Sequence, residues 1–170
     1  LTNLIGFEGL NVHGEGGYLC VQCHVGFEAE MGHGLKLGSQ REATLRLNEA
    51  CSQCHQTQAD QEKDSAHATA RATGKMEAAI CTDCHTAHAV KRLTDPITHQ
   101  LLPETRAWIP ATCKKCHSAI YEKYRNSVHG AALTNENNPD VPTCIDCHGV
   151  HIIEDPTTAA FRLGSPQICA

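Results

Sequence analysis

The sequence predicts a chain that is mostly coil with short α-helices and little or no β structure. Only 4% of the 170 residues are aromatic, so few large apolar side chains are present to form a core. Thirteen Gly and seven Pro indicate much irregular backbone. Eleven Cys and twelve His are far above ordinary usage, and small chains with a thin core often complete it with disulfides, metals or cofactors.

Ten of the eleven cysteines lie in five copies of the pattern C-x-x-C-H, which is typical of covalent haem attachment. The two thiols form thioethers with the haem vinyl groups, and the adjoining His becomes the proximal ligand of the iron. The predicted attachment cysteines and proximal histidines are Cys20, Cys23 and His24; Cys51, Cys54 and His55; Cys81, Cys84 and His85; Cys113, Cys116 and His117; and Cys144, Cys147 and His148.

Other uses of paired cysteines fit this pattern less well. Zinc also binds C-x-x-C pairs, but five motifs divide awkwardly into sites of four ligands. A redox-active dithiol or a disulfide framework does not require a His after every second Cys. We therefore expect haem c as the cofactor, with five haems per chain.

The motifs recur at a steady interval, which indicates an internal repeat. Their first cysteines are 31, 30, 32 and 31 residues apart. Residues 51–91 align with residues 113–154 at an offset of 62, which rises to 63 by the second motif. We predict a single domain, 1–170, built from a one-haem partial unit at 1–48 and two-haem repeats at 49–110 and 111–170.

The pattern shared by the two two-haem repeats contains four histidines for two irons, which is the stoichiometry of bis-histidine coordination. A surface position or a contact with a haem propionate is the alternative for each histidine outside the motifs. The predicted distal ligands in the two repeats are His67, His88, His129 and His151.

Spacing restricts which iron each of these can reach. On a continuous helix His129 would lie about 18 Å along the axis from His117, too far to share its iron. His88 and His151 follow their proximal His by three residues and should lie on the proximal side of their own haem. The simplest pairing gives His67 to the haem at 81–85, His88 to the haem at 51–55, His129 to the haem at 144–148 and His151 to the haem at 113–117.

Three histidines and one cysteine belong neither to the five motifs nor to the pattern that the two repeats share. For the first haem, His13 is the preferred distal ligand and His33 the alternative. His99 has no counterpart in the second repeat; it could serve a neighbouring haem, including one on another chain, or lie on the surface. Cys169 is placed where a sixth motif could begin, in which case the protein continues, or it is a free or intermolecularly paired thiol.

We expect short helices near residues 49–66 and 112–128. Asn48 is a good N-cap for the first. Pro110 could open the second, and Gly130 suits its C-terminal end.

With its five C-x-x-C-H motifs, the segment S-V-H-G at 127–130 and the segment C-I-D-C-H-G-V-H at 144–151, the chain resembles the multihaem c-type cytochromes of anaerobic respiratory bacteria and archaea. The resemblance covers residues 13–170. It implies a multihaem cytochrome c fold organised around a chain of closely packed, low-potential bis-histidine haems. It also implies a role between quinol dehydrogenases, terminal reductases, outer-membrane conduits or extracellular filaments.

The expected function is electron transfer rather than catalysis, because an iron with two protein ligands has no open position for a substrate. A protomer of a haem-bearing filament is one form of this function. The alternative is a reductase of the nitrite, hydroxylamine or sulfur-oxyanion type with one open haem. Every motif ends in His, and seven distal candidates are available for five haems, which favours the electron carrier.

Covalent haem attachment takes place outside the cytoplasmic membrane, so we expect a periplasmic, outer-surface or extracellular protein from which a signal peptide was removed or never included. No apolar run of 18 residues is present. With 19 Asp and Glu against 14 Lys and Arg, nucleic acid is not an expected partner. Redox proteins or copies of the chain itself fit better.

Overall fold

The computed structural model describes residues 20–24 and 38–168. Within these residues the chain is helical and coil, and it contains no strand. The prediction of short helices with little or no β structure is confirmed for this part of the chain. One isolated antiparallel bridge joins Thr94 to Leu101.

The chain divides into two compact units. Unit 1 comprises the described residues up to 63 together with 67–92, and unit 2 comprises 64–66 together with the described residues from 93 onwards. The helices of unit 1 are α1 (Cys20–Cys23), α2 (Gln40–Asn48), a 3-10 helix (Glu49–Gln53), α3 (Gln56–Lys63), α4 (Ala66–Ala72, except its first residue) and α5 (Cys81–His85). Those of unit 2 are α6 (Pro103–Cys113), α7 (Ser118–Arg125), α8 (Val128–Asn135), α9 (Cys144–His148) and α10 (Ala159–Ile168).

Of the three predicted helix boundaries that rest on single residues, that at Asn48 is found in the structure, whereas those at Pro110 and Gly130 are wrong. A 3-10 helix begins at Glu49 with Asn48 at its N-cap position, but the Asn48 side chain makes no hydrogen bond to that helix. Its Oδ1 instead accepts a hydrogen bond of 3.1 Å from the N–H of Cys81, the first residue of α5. Pro110 lies inside α6. The helix begins instead at Pro103, a position at which the missing N–H of proline removes no intrahelical hydrogen bond.

The helix expected to run through residue 128 is broken at Asn126 and Ser127. Ser127 is the N-cap of α8, and its Oγ accepts a hydrogen bond of 3.2 Å from the N–H of Gly130. Gly130 therefore lies in the first turn of α8 rather than at a helix end. A Cβ there would come within 2.0 Å of the Tyr124 carbonyl oxygen, so only glycine allows α8 to cross the end of α7 so closely.

Few apolar side chains are buried in the described residues. Ile80 is 4% exposed, Ile109 6% and Leu133 5%, and they are the buried hydrophobic residues of this part of the chain. Four hydroxyl side chains are buried with them: Ser65, Thr105, Thr112 and Thr143. A core of this kind provides little hydrophobic stabilisation for a chain of this length.

Candidate haem-attachment sites

The third and fifth motifs form matching short helices, α5 and α9. In both, the third residue of the motif is an aspartate whose Oδ2 accepts from the N–H of the residue before the first cysteine. The distance is 2.9 Å from Ile80 to Asp83 and 2.6 Å from Thr143 to Asp146. A carboxylate at this position satisfies an otherwise unpaired N–H and favours the helix N-terminus. The aspartates therefore shape the backbone on which the two thiols are carried.

An arginine from an earlier helix of the same unit binds each of these aspartates. Arg41, from α2, donates from Nη1 to Asp83 at 2.9 Å, and from Nε and Nη2 to the carbonyls of Met76 and Ala78 at 3.0 and 2.7 Å. Its side chain is only 17% exposed. We call this arrangement, an arginine joined to the motif aspartate and to two carbonyls ahead of it, the arginine clamp.

The arginine clamp is repeated in unit 2. Arg106, from α6, donates from Nη1 to Asp146 at 3.1 Å. Its Nε and Nη2 donate to the carbonyls of Pro139 and Val141 at 3.0 and 2.9 Å. The carbonyls lie seven and five residues before the aspartate in both units. Each unit thus contains a two-motif module: the second and third motifs with Arg41 in unit 1, and the fourth and fifth motifs with Arg106 in unit 2. The module is duplicated in its side-chain contacts as well as in its cysteine spacing.

The charge of Asp146 is stabilised by this clamp. Burial opposes ionisation of its carboxyl, but hydrogen bonds from the N–H and hydroxyl of Thr143 and from Arg106 outweigh burial and hold the pKa of Asp146 below its ordinary value of 3.8. The carboxylate and guanidinium thus form a charge-assisted contact at neutral pH.

One carbonyl of each module is held by different side chains. In unit 2 the Tyr124 hydroxyl donates to the carbonyl of Pro142 at 3.0 Å. In unit 1 the equivalent carbonyl, that of Ala79, accepts from Arg71, which also pairs with Glu62. The two copies therefore satisfy the same backbone group two residues before the first cysteine by unrelated chemistry.

Within each module the first cysteines of the two motifs are hydrogen-bonded to each other. The bond to Cys51 lowers the pKa of the Cys81 thiol to about 7, and the same bond together with burial raises the pKa of Cys51. In unit 2 the bond to Cys113 likewise lowers the pKa of Cys144 to about 7, and that of Cys113 is raised. The predicted attachment points of two haems therefore lie side by side in each unit.

The chain turns sharply after the proximal histidine of both modules. Thr86 has φ 62° and ψ 170°, and Gly149 has φ 81° and ψ 174°. This region of backbone conformation is strained for any residue with a Cβ. At Gly149 an added Cβ would also lie 2.4 Å from the carbonyl oxygen of Ile152. The turn begins the segment that carries His88 in unit 1 and His151 in unit 2.

The proximal histidine of the fifth motif is oriented by the chain. The ring Nδ1 of His148 lies 3.3 Å from the carbonyl oxygen of Glu154, and the Glu154 N–H donates to the His148 carbonyl at 2.8 Å. The Phe161 ring lies parallel to the imidazole, with ring centres 5.2 Å apart. When Nδ1–H donates to a carbonyl, Nε2 is the nitrogen left to bind a metal. This arrangement suits an axial haem ligand.

In unit 1 the proximal histidine of the first motif lies next to a predicted distal ligand. The ring centres of His24 and His88 are 5.9 Å apart, and the ring planes differ by 3°. His24 is half-buried and His88 is exposed. The sequence assigned His88 to the haem at 51–55; that assignment stays a prediction.

The other predicted ligands are found in several environments. His67 and His151 are half-buried, and His129 and His99 are exposed, His99 at the left-handed φ of 58°. The iron assignments of His67, His129 and His151 stay predictions. His13, His33 and Cys169 lie outside the described residues, and of Cys20 only the backbone is described. The remaining motif residues are half-buried or exposed, as attachment to an external group requires.

The donor set fits covalently attached haem. Paired thiols, a following imidazole and an Nδ1 contact that leaves Nε2 for iron are the features such a group uses. No three His, Cys, Asp or Glu side chains converge as ligands for one metal ion within residues 20–24 and 38–168. In the same residues no helix is both long and apolar enough to cross a membrane.

Comparison with known proteins gave no match to a protein-family model, to a curated protein or to a solved structure.

The arginine clamp was missed by sequence reasoning. Asp83 and Asp146 share the third position of their motifs, and this identity is visible in the sequence. Arg41 and Arg106 are 65 residues apart, whereas the motif positions are offset by 62 or 63, so the aligned repeat does not bring the two arginines into register.

Proposed function

We propose that this protein is an electron carrier that binds five c-type haems through its five C-x-x-C-H motifs. The observation that carries the proposal is the duplication of one two-motif module, in which the same thiol pair, aspartate and arginine recur. Covalent haem attachment at the five motifs accounts for ten of the eleven cysteines. When bound, haem would supply an iron that takes up and releases one electron.

The arrangement of the thiols supports transfer between haems. Cys51 and Cys81 are hydrogen-bonded, as are Cys113 and Cys144, so two haems attached there would be anchored at neighbouring points of the chain. The protein's part is to hold the spacing and to set the potentials through axial ligands, hydrogen bonds and burial. The His148 contact with the Glu154 carbonyl is one such determinant.

Location and partners follow from the same chemistry. Because haem is attached covalently on the outer side of the cytoplasmic membrane, we propose a periplasmic, outer-surface or extracellular protein in respiratory electron transfer. The partners are redox proteins or further copies of the chain, which would form a filament if the contact does not close.

A haem and thiol count tests this proposal. Pyridine haemochrome analysis and intact mass should give five haems per chain, and the denatured protein should contain at most one titratable thiol, that of Cys169. The variant C113S/C116S should retain four haems. A protein without haem and with eleven titratable thiols would contradict the proposal.

Paramagnetic resonance then separates the electron carrier from a reductase. Five low-spin ferric haems that do not respond to added ligand support the carrier. A high-spin signal that shifts on addition of nitrite, hydroxylamine or cyanide would show an open iron and favour the reductase instead.

A further inference from the structure

We infer that His24 and His88 are the two axial ligands of the first haem. The inference rests on the proposed function and deepens it by assigning His88 to a particular iron. Sequence spacing alone had assigned His88 to the haem at 51–55. His24 ends the first C-x-x-C-H motif and is therefore the proximal ligand of that haem.

The separation of the two ring centres fits a shared metal. Imidazole nitrogen binds metal ions at about 2.0 Å. Two imidazoles on opposite sides of one iron therefore have ring centres about 6 Å apart. The observed separation is 5.9 Å, and the ring planes are within 3° of parallel. A direct ring stack is the other explanation, but it gives little stabilisation for an exposed imidazole such as His88.

The backbone leading to His88 is set up for this role. His88 follows His85 by three residues, and Thr86 between them adopts a φ of 62°. A conformation that is strained for threonine persists only where surrounding structure fixes it. The His88 ring that follows this turn lies beside His24 of the first motif.

The first motif also lies close to the second. Helix α1 packs against the 3-10 helix of residues 49–53. A cleft of about 210 Å³ is lined by Cys23 together with Arg46, Leu47, Glu49, Ala50 and Gln53.

The consequence is a three-haem group within unit 1. The thiol pair of Cys51 and Cys81 joins the second and third haems, and His88 would join the first iron to the segment that begins at the third. His13 and His33 would then not be required as ligands of the first haem.

Replacing His88 by methionine tests the assignment in the full-length holoprotein. H88M should change one of the five haems, giving either the charge-transfer band of a ferric His–Met haem with a raised potential or a new high-spin signal. The matched control is Q100M, which alters an exposed side chain that is not a predicted ligand and should leave all five spectra unchanged. An H88M protein with five unaltered bis-histidine haems would overturn the inference and leave a simple ring stack.

Two four-haem backgrounds identify the iron. In C20S/C23S, which lacks the first haem, H88M should cause no further spectral change. In C51S/C54S, which lacks the second, the H88M signal should persist. The reverse pattern would assign His88 to the haem at 51–55 and overturn the inference, as would a signal from H13M or H33M that disappears with the first haem.

A holoprotein structure decides the question even where a four-haem variant does not accumulate. Density that joins both imidazoles to one iron supports the assignment, and two separate irons overturn it. The proposed function fails separately, because a wild-type haem count below five is detected before His88 is altered.

Discussion

Arg106 donates from Nη1 to Asp146 Oδ1 across 3.1 Å, and this bond ties the helix before the fourth motif to the helix of the fifth. Arg41 and Asp83 make the same contact in unit 1 at 2.9 Å. Both arginines also satisfy two carbonyls of the segment that leads into the motif. The clamp thus fixes the position of one motif relative to the helix that leads to the other.

The variant R106K should destabilise the holoprotein by about 2 kcal/mol, because lysine keeps the charge but cannot reach three acceptors at once. Denaturant unfolding followed by circular dichroism measures the loss. The matched control is R125K, whose ion pair with Glu122 is about half exposed and should contribute less than about 0.5 kcal/mol. Equal losses in the two variants would show that the clamp has no special weight.

Thr86 and Gly149 provide a second test, because equivalent positions with the same backbone conformation carry different residues. T86G should stabilise the protein by about 1 kcal/mol, as relief of strain exceeds the added freedom of the unfolded chain. G149A should destabilise it by at least about 2 kcal/mol, because its Cβ would meet the Ile152 carbonyl.

The control for these two variants is G164A in α10, where a Cβ meets nothing within 4 Å. That change should be neutral or stabilising by up to about 1 kcal/mol. Thermal unfolding of the three holoproteins compares them directly. A destabilised T86G would contradict the strain argument.

The pH dependence of Asp146 gives a third prediction. Its folded pKa lies below 3.8, so its contribution to stability is present above that pH and is lost as pH falls through the folded pKa. D146N should therefore be destabilising at pH 7, and the difference from wild type should shrink in strong acid. The exposed E136Q is the control. Urea unfolding at pH 7 and in strong acid measures the free energy of unfolding of each variant. A D146N effect that does not change with pH would refute the lowered pKa of Asp146.

The sequence predicts the motifs, the two-motif repeat and the helical character, because each depends on residues near one another in the chain. It does not predict the break at Ser127, since the Ser127 cap and the close crossing at Gly130 depend on how α8 meets α7. The partner of Arg106 is 40 residues away, and that of Arg41 is 42. Such pairs are set by packing, which spacing alone does not reveal.

Removal of haem should abolish the cooperative fold. The described residues bury Ile80, Ile109 and Leu133 as their hydrophobic core, and this apolar area is too small to offset the conformational entropy of those same residues. Five covalent haems would supply the missing apolar surface. The chain produced under reducing conditions without haem maturation should therefore show no cooperative thermal transition by circular dichroism and little amide-exchange protection, whereas the holoprotein should show both. An apoprotein that unfolds cooperatively in reductant would mean that side chains alone stabilise the fold, and haem would then be an addition to the structure rather than its core.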